Sequence, residues 1–186
     1  DTITGSSAAN VLDAGAGDDT IVGTAGNDAI YGGAGADTVD YGAWTANQTV
    51  HLGNGTMTDG TNSQSLNAIE NVNTGSGNDT ITGSSVANVI NAGSGNDVVD
   101  GGAGNDVMAG GAGTDTLSFG TSGAGVTASL AAGTASGTSS GTDTFSGFEN
   151  VSGSGYNDTL TGDDGANTIN GGNGNDTLDG GLGNDT

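Results

Sequence analysis

The chain has 186 residues, 22 acidic side chains and neither Lys nor Arg, so its formal charge is −22. That sign excludes nucleic acid as a partner, since nothing neutralises phosphates, and sets the chain against anionic membrane surfaces. Cys is absent, no apolar run is long enough to enter and cross a bilayer as a helix, and no basic-then-apolar leader is visible.

In chain order, the sequence reads as very short strands between glycine turns. A nine-residue unit, G-G-x-G-x-D-x-U-x with U a large apolar residue, recurs throughout. Its clearest copies are "GGAGNDVMA" from Gly101 and "GGNGNDTLD" from Gly171. In the first run the sixth position falls on Asp1, Asn10, Asp19, Asp28 and Asp37, and the eighth on Ile3, Leu12, Ile21, Ile30 and Val39. An insert over 40–73 follows, with an alternating "QTVHL" and a closing "IENV". The second run places Asp79, Asn88, Asp97, Asp106 and Asp115 ahead of Ile81, Ile90, Val99, Met108 and Leu117. A second insert over 118–152 carries "GVTASL" and "FENV". The third run has Asp158, Asn167, Asp176 and Asp185, with Leu160, Ile169 and Leu178. Val72 and Val151 lie nine residues before Ile81 and Leu160, so each insert re-enters the register. The inserts are expected to be further coils with wider turns.

A longer period lies over the short one. "DTITGSSAAN", "DTITGSSVAN" and "DTLTGDDGAN" open modules 1–78, 79–157 and 158–186, the last incomplete. Neither end carries an atypical capping unit, so 1–186 reads as one continuous segment of a longer polypeptide.

Nine residues are too few for a helix and its return. Glycines at positions one, two and four make a tight turn, and positions seven to nine, such as Thr80-Ile81-Thr82, make a strand whose middle side chain points inward. Two such units form an 18-residue coil, and stacked coils give two parallel sheets. The core is thin. One inward aliphatic per nine residues does not offset the entropy of ordering those nine, least of all where many are glycine. Something outside the sequence must bind the folded state.

Sixth-position carboxylates 18 residues apart stack at about 4.8 Å, where like charges repel unless a cation lies between them. Oxygen ligands on a carbonyl-rich turn suit Ca²⁺ better than Mg²⁺, which demands stricter geometry. Zinc or copper would need His or Cys, and the chain offers only His51.

These repeats resemble the RTX (repeats-in-toxin) calcium-binding β-roll of secreted bacterial proteins, a likeness that directly covers about two-thirds of the chain. It implies an all-β, right-handed parallel β-roll that binds several Ca²⁺ between turns on the same side. By that resemblance the carboxylates are those of Asp1, Asp19, Asp28, Asp37, Asp79, Asp97, Asp106, Asp115, Asp158, Asp176 and Asp185. Main-chain carbonyls are expected from the turn glycines Gly15, Gly17, Gly33, Gly35, Gly75, Gly77, Gly93, Gly95, Gly102, Gly104, Gly111, Gly113, Gly172 and Gly174. The pairs are Asp19 with Asp37, Asp79 with Asp97, Asp97 with Asp115, and Asp158 with Asp176; Asp1 with Asp19 needs an intact preceding turn. Asn10, Asn88 and Asn167 depart from the pattern. Asn is neutral and their turns lack the second glycine, so sites there are expected to be weak or empty, with an amide ladder as the alternative.

Other residues invite blander readings. His51 alternates with Val50 and Leu52 and points outward. Glu70 and Glu149 are one module apart and read as structural rather than as an acid–base pair. Trp44 with Tyr41 reads as packing over an insert rather than a sugar platform. Outward Thr pairs are broken at Val98 and Asp100, against an ice-binding array. The expected function is a non-catalytic, calcium-dependent stalk, filament or surface-layer segment. The RTX resemblance implies that it leaves the cell unfolded through a type I channel and folds outside or on the surface. Calcium, neighbouring segments or further copies are its expected partners, and no direct membrane insertion is expected. The alternatives are an appendage of a secreted enzyme and an adhesin repeat.

Overall fold

The computed structural model describes all 186 residues, and the regular structure is entirely β. The first module contributes β1 (Thr2–Thr4), β2 (Val11–Ala16), β3 (Thr20–Val22), β4 (Ala29–Ala34), β5 (Thr38–Asp40), β6 (Thr49–His51), β7 (Thr56–Thr58), β8 (Ser63–Asn67) and β9 (Asn71–Asn73). The second contributes β10 (Thr80–Ser84), β11 (Val89–Asn91), β12 (Val98–Gly102), β13 (Val107–Ala109), β14 (Thr116–Ser118), β15 (Val126–Ser129), β16 (Thr134–Gly137), β17 (Gly141–Ser146) and β18 (Asn150–Ser152). The last residues add β19 (Thr159–Thr161), β20 (Thr168–Asn170) and β21 (Thr177–Asp179).

Most strands have three residues because only the middle one has a core to reach. Along the first sheet the inward positions pair as Ile3, Ile21, Val39, Val72, Ile90, Met108 and Phe145. Along the second, Val50, Ile81, Val99, Leu117, Val151 and Ile169 do the same. These ladders meet between the sheets as one cluster of 25 buried residues from Leu12 to Leu160, so the modules share a single core, while Leu178 on the last strand is left 48% exposed. Among the outward neighbours Thr is the most frequent, and its branched side chain suits an exposed strand.

The first sheet runs β1-β3-β5-β9-β11-β13-β17-β16-β15-β19-β21 and the second β2-β4-β8-β7-β6-β10-β12-β14-β18-β20. The inserts are not coils with wider turns. Each is a three-stranded antiparallel meander lying within one sheet: β6-β7-β8 in the second, β15-β16-β17 in the first. Tight reversals cause this. Gly55 (φ +67°) donates its N–H to the Leu52 carbonyl, and Gly133 (φ +64°) makes the matching bond to Leu130. Asp59 collects the N–H groups of Thr61 and Asn62 and the Asn62 amide, closing the second hairpin of the first insert.

Each module therefore makes an odd number of half-coils. Asp1 leads into the first sheet, its counterpart Asp79 into the second, and Asp158 into the first again. Successive modules are related by a half turn about the roll axis.

Candidate metal centre

The turns form two columns, one leading into each sheet. The sixth-position side chain turns inward, and its Oδ1 accepts the N–H of the sixth residue one coil earlier. Asp37 receives Asp19 N–H at 2.9 Å, Asp97 receives Asp79 at 2.7 Å, and Asp115 receives Asp97 at 2.8 Å. The same bond joins Asn10 to Asp28, Asn88 to Asp106, Asp158 to Asp176, and Asn167 to Asp185. Fifth-position side chains run the opposite way. Asn78 Oδ1 accepts from Asn96 N–H in the following coil, and Asn96 from Thr114. The recurrent Asn-Asp dipeptide is thus a two-way zipper, with each residue holding a different neighbour.

The second carboxylate oxygen divides the turns into two kinds. In Asp19, Asp37, Asp79, Asp97, Asp106 and Asp115, Oδ2 is buried and has no hydrogen-bond partner. All six have glycine at the turn's second position: Gly15, Gly33, Gly75, Gly93, Gly102 and Gly111. In the turn 32–37, Asp37 Oδ2 lies over the first glycine, where a Cβ on Gly32 would come within 2.6 Å of it. Gly33 has φ +107°, and a Cβ there would meet the Gly15 carbonyl oxygen of the coil before. Only glycine leaves room for oxygens at this density.

Where the second residue carries a side chain, the sixth-position oxygens already have partners, from the turn or from an insert. Asp158 Oδ2 accepts Ser154 N–H at 2.7 Å, while its Oδ1 takes the Ser154 hydroxyl and Val126 N–H. Asp28 Oδ2 is met by the Gln64 amide at 3.2 Å. Asn88 Oδ1 accepts Ser84 N–H, and its Nδ2 donates to the Glu70 carbonyl at 2.6 Å. Asn167 repeats this with Asp163 and Glu149. The Asn side chains therefore bond to backbone groups, not to one another as an amide ladder. Asp1 and Asp185 lie exposed at the ends, and Asp176 is half-buried.

Burial drives several of these carboxyls upward. Asp97 is pushed up to about 6, first by desolvation and then by Asp79 and Asp115. Asp106 is pushed up to about 7 by desolvation, with Asp143 and Asp100 adding repulsion. Asp79 and Asp115 also rise, chiefly by desolvation. With no Lys or Arg in the chain, no side chain of fixed positive charge can relieve them.

The model of the RTX calcium-binding nonapeptide repeat matches residues 1–28, 13–43, 67–85, 82–117 and 152–186. The chain belongs to that family. No curated protein matches it. RTX nonapeptide repeats bind calcium, and this chain carries several of them. The open turns fit such an ion: buried carboxylate oxygens lacking partners, carbonyls alongside, and no nitrogen or sulfur donor.

Several RTX column members are not in the nine-residue count. Glu70 Oε2 caps Asp37 N–H at 2.9 Å, and Glu149 Oε2 caps Asp115 N–H at 2.8 Å, so each ends an open row. Counting back two residues from Val72 and Val151 would have found them. Gln48 and Asp143 also occupy sixth positions, facing Asp79 and Asp106. The other singled-out residues lie apart. His51 Nδ1 accepts Asn54 N–H, and Trp44 donates its indole N–H to the Gly23 carbonyl while packing edge-on to Tyr41 at 5.3 Å. The Tyr41 hydroxyl donates to Gln64 Oε1, and burial, with the charge of Asp28, raises its pKa.

Proposed function

We propose that the chain is a non-catalytic structural segment of a secreted protein, extended where calcium is scarce and folded where it is plentiful. The carrying observation is the set of six buried carboxylate oxygens without partners in a chain that has no cationic side chain. A cation that binds them binds the folded state alone, so its binding free energy becomes folding free energy. Asp19 with Asp37, and Asp79 with Asp97 and Asp115, form the principal rows, with turn carbonyls completing each shell. Asp28 and Asp158 contribute least, because both oxygens of each already accept hydrogen bonds. Asp176 and Asp185 have glycine at the second position of their turns and act as outlying sites. The role in the parent protein is that of a spacer or stalk.

Far-UV circular dichroism during a Ca²⁺ titration, with Mg²⁺ as control, tests this. A cooperative rise in β-structure specific to Ca²⁺ is expected. Full β-structure in chelator at neutral pH would sink the proposal.

A further inference from the structure

The two inserts treat equivalent turns differently. In the first, Gln64 stands opposite Asp28. Its Nε2 donates to Asp28 Oδ2 at 3.2 Å and to the Thr24 carbonyl at 2.7 Å, and its Oε1 accepts the Tyr41 hydroxyl at 2.6 Å. An amide thus occupies the place a cation would take, and every group there is satisfied. One module later Asp106 replaces Asp28, and Asp143 replaces Gln64. A carboxylate has no hydrogen to give. The second turn residue is now Gly102 instead of Thr24, so no side chain closes the turn either.

The geometry points to a calcium site built by the second insert, between the nonapeptide turn Gly101–Asp106 and the hairpin turn 138–143, with Asp106 and Asp143 as its carboxylates. It rests on the calcium reading above, but it uses a turn outside the nine-residue pattern. The lower half of the hairpin turn copies a repeat turn. Asp143 Oδ1 accepts Asp106 N–H at 3.0 Å, and Asn105 Oδ1 accepts Thr142 N–H at 2.9 Å. Gly141 (φ +92°) lies against the Gly104 carbonyl as Gly113 lies against Gly95. Asp106 and Asp143 are each 1% exposed, and Asp106 Oδ2 has no partner. Ser140, in the same hairpin turn, has a buried hydroxyl that also lacks a partner.

Asp100 deepens the need. It is buried, and its charge bears on both carboxylates. Its own oxygens are taken by Gly102 N–H, Thr121 N–H and the Thr121 hydroxyl, which tie the start of the insert to this turn. Asp100 adds charge but no free ligand atom; Asp106 and Asp143, with no cationic side chain to meet them, call for a hard divalent ion whose remaining oxygens come from the turns.

Crystals grown with Tb³⁺ in place of calcium would locate ions by anomalous scattering. A peak between Asp106 and Asp143 is expected beside those in the row Asp79, Asp97, Asp115. Peaks in that row with none at Asp143 would overturn this site and leave the calcium reading standing; no peaks at all would overturn both. Asp143→Gln, which places opposite Asp106 the amide that Gln64 gives to Asp28, should keep the β-signal in calcium while calorimetry counts one fewer ion per chain. An unchanged count would overturn the site. If the variant does not fold, the terbium map decides.

Discussion

At Asp97 one carboxylate oxygen holds the coil before it, and the other is buried without a partner. Asp97 also donates its N–H to Asp115, so it stands between two open turns. Asp97→Ala should therefore raise the calcium midpoint, on the order of threefold or more, by disturbing two sites at once. Asp185→Ala, at an exposed end, should move it less; equal shifts in the dichroism titration would count against the rows. Asp158→Asn converts a closed turn into the type built around Asn88, and its midpoint should stay near the parent's. Glycine is as constrained as the acid. Gly111→Ala places a Cβ against the Gly93 carbonyl at φ +106°, and urea unfolding in saturating calcium should show a loss of about 1–3 kcal/mol. The aspartate column was legible from spacing alone. The N–H each aspartate accepts was not, because a nine-residue count says nothing of side-chain direction. Asp143 was hidden because it lies 37 residues from Asp106, where the repeat would have placed it 18 away.

The strands were equally legible where the repeat is intact, since the eighth position gives each inward residue. The inserts were not. Val50 and Leu52 alternate in a way that fits a coil or a hairpin, and the choice lies in Gly55 and Gly133, which reverse the chain within a few residues. At this scale the columns act together. Asp97, Asp106 and Asp143 have pKa values raised to about 6 to 7 in the fold. A carboxyl raised by folding lends stability below its unfolded pKa, and that stability is lost as pH rises through the folded value. The metal-free chain should thus gain β-structure as pH falls from about 7.5 towards 5, with protons standing in for calcium. The calcium midpoint should rise over the same interval, because the ion must displace those protons. Dichroism against pH, in chelator and in calcium, reads both effects.

Across the whole molecule, the −22 charge and the single core set the end states. On the proposed reading, self-repulsion should keep the chain long without calcium. With it, eleven strands at about 4.8 Å give a rod of roughly 50 Å. Small-angle scattering should show a maximum dimension falling towards that length as calcium is added, with unchanged dimensions contradicting the coupling. The half turn between modules adds a last consequence. The row Asp19–Asp37 lies on one side and ends at Glu70, and the row Asp79–Asp97–Asp115 lies on the other and ends at Glu149. No row passes its load to the next along the same edge. Under tension from its ends, the roll should give way one module at a time. Each complete module released would free 78 or 79 residues, about 260 Å of contour, so optical tweezers should record discrete steps in calcium and a smooth pull in chelator.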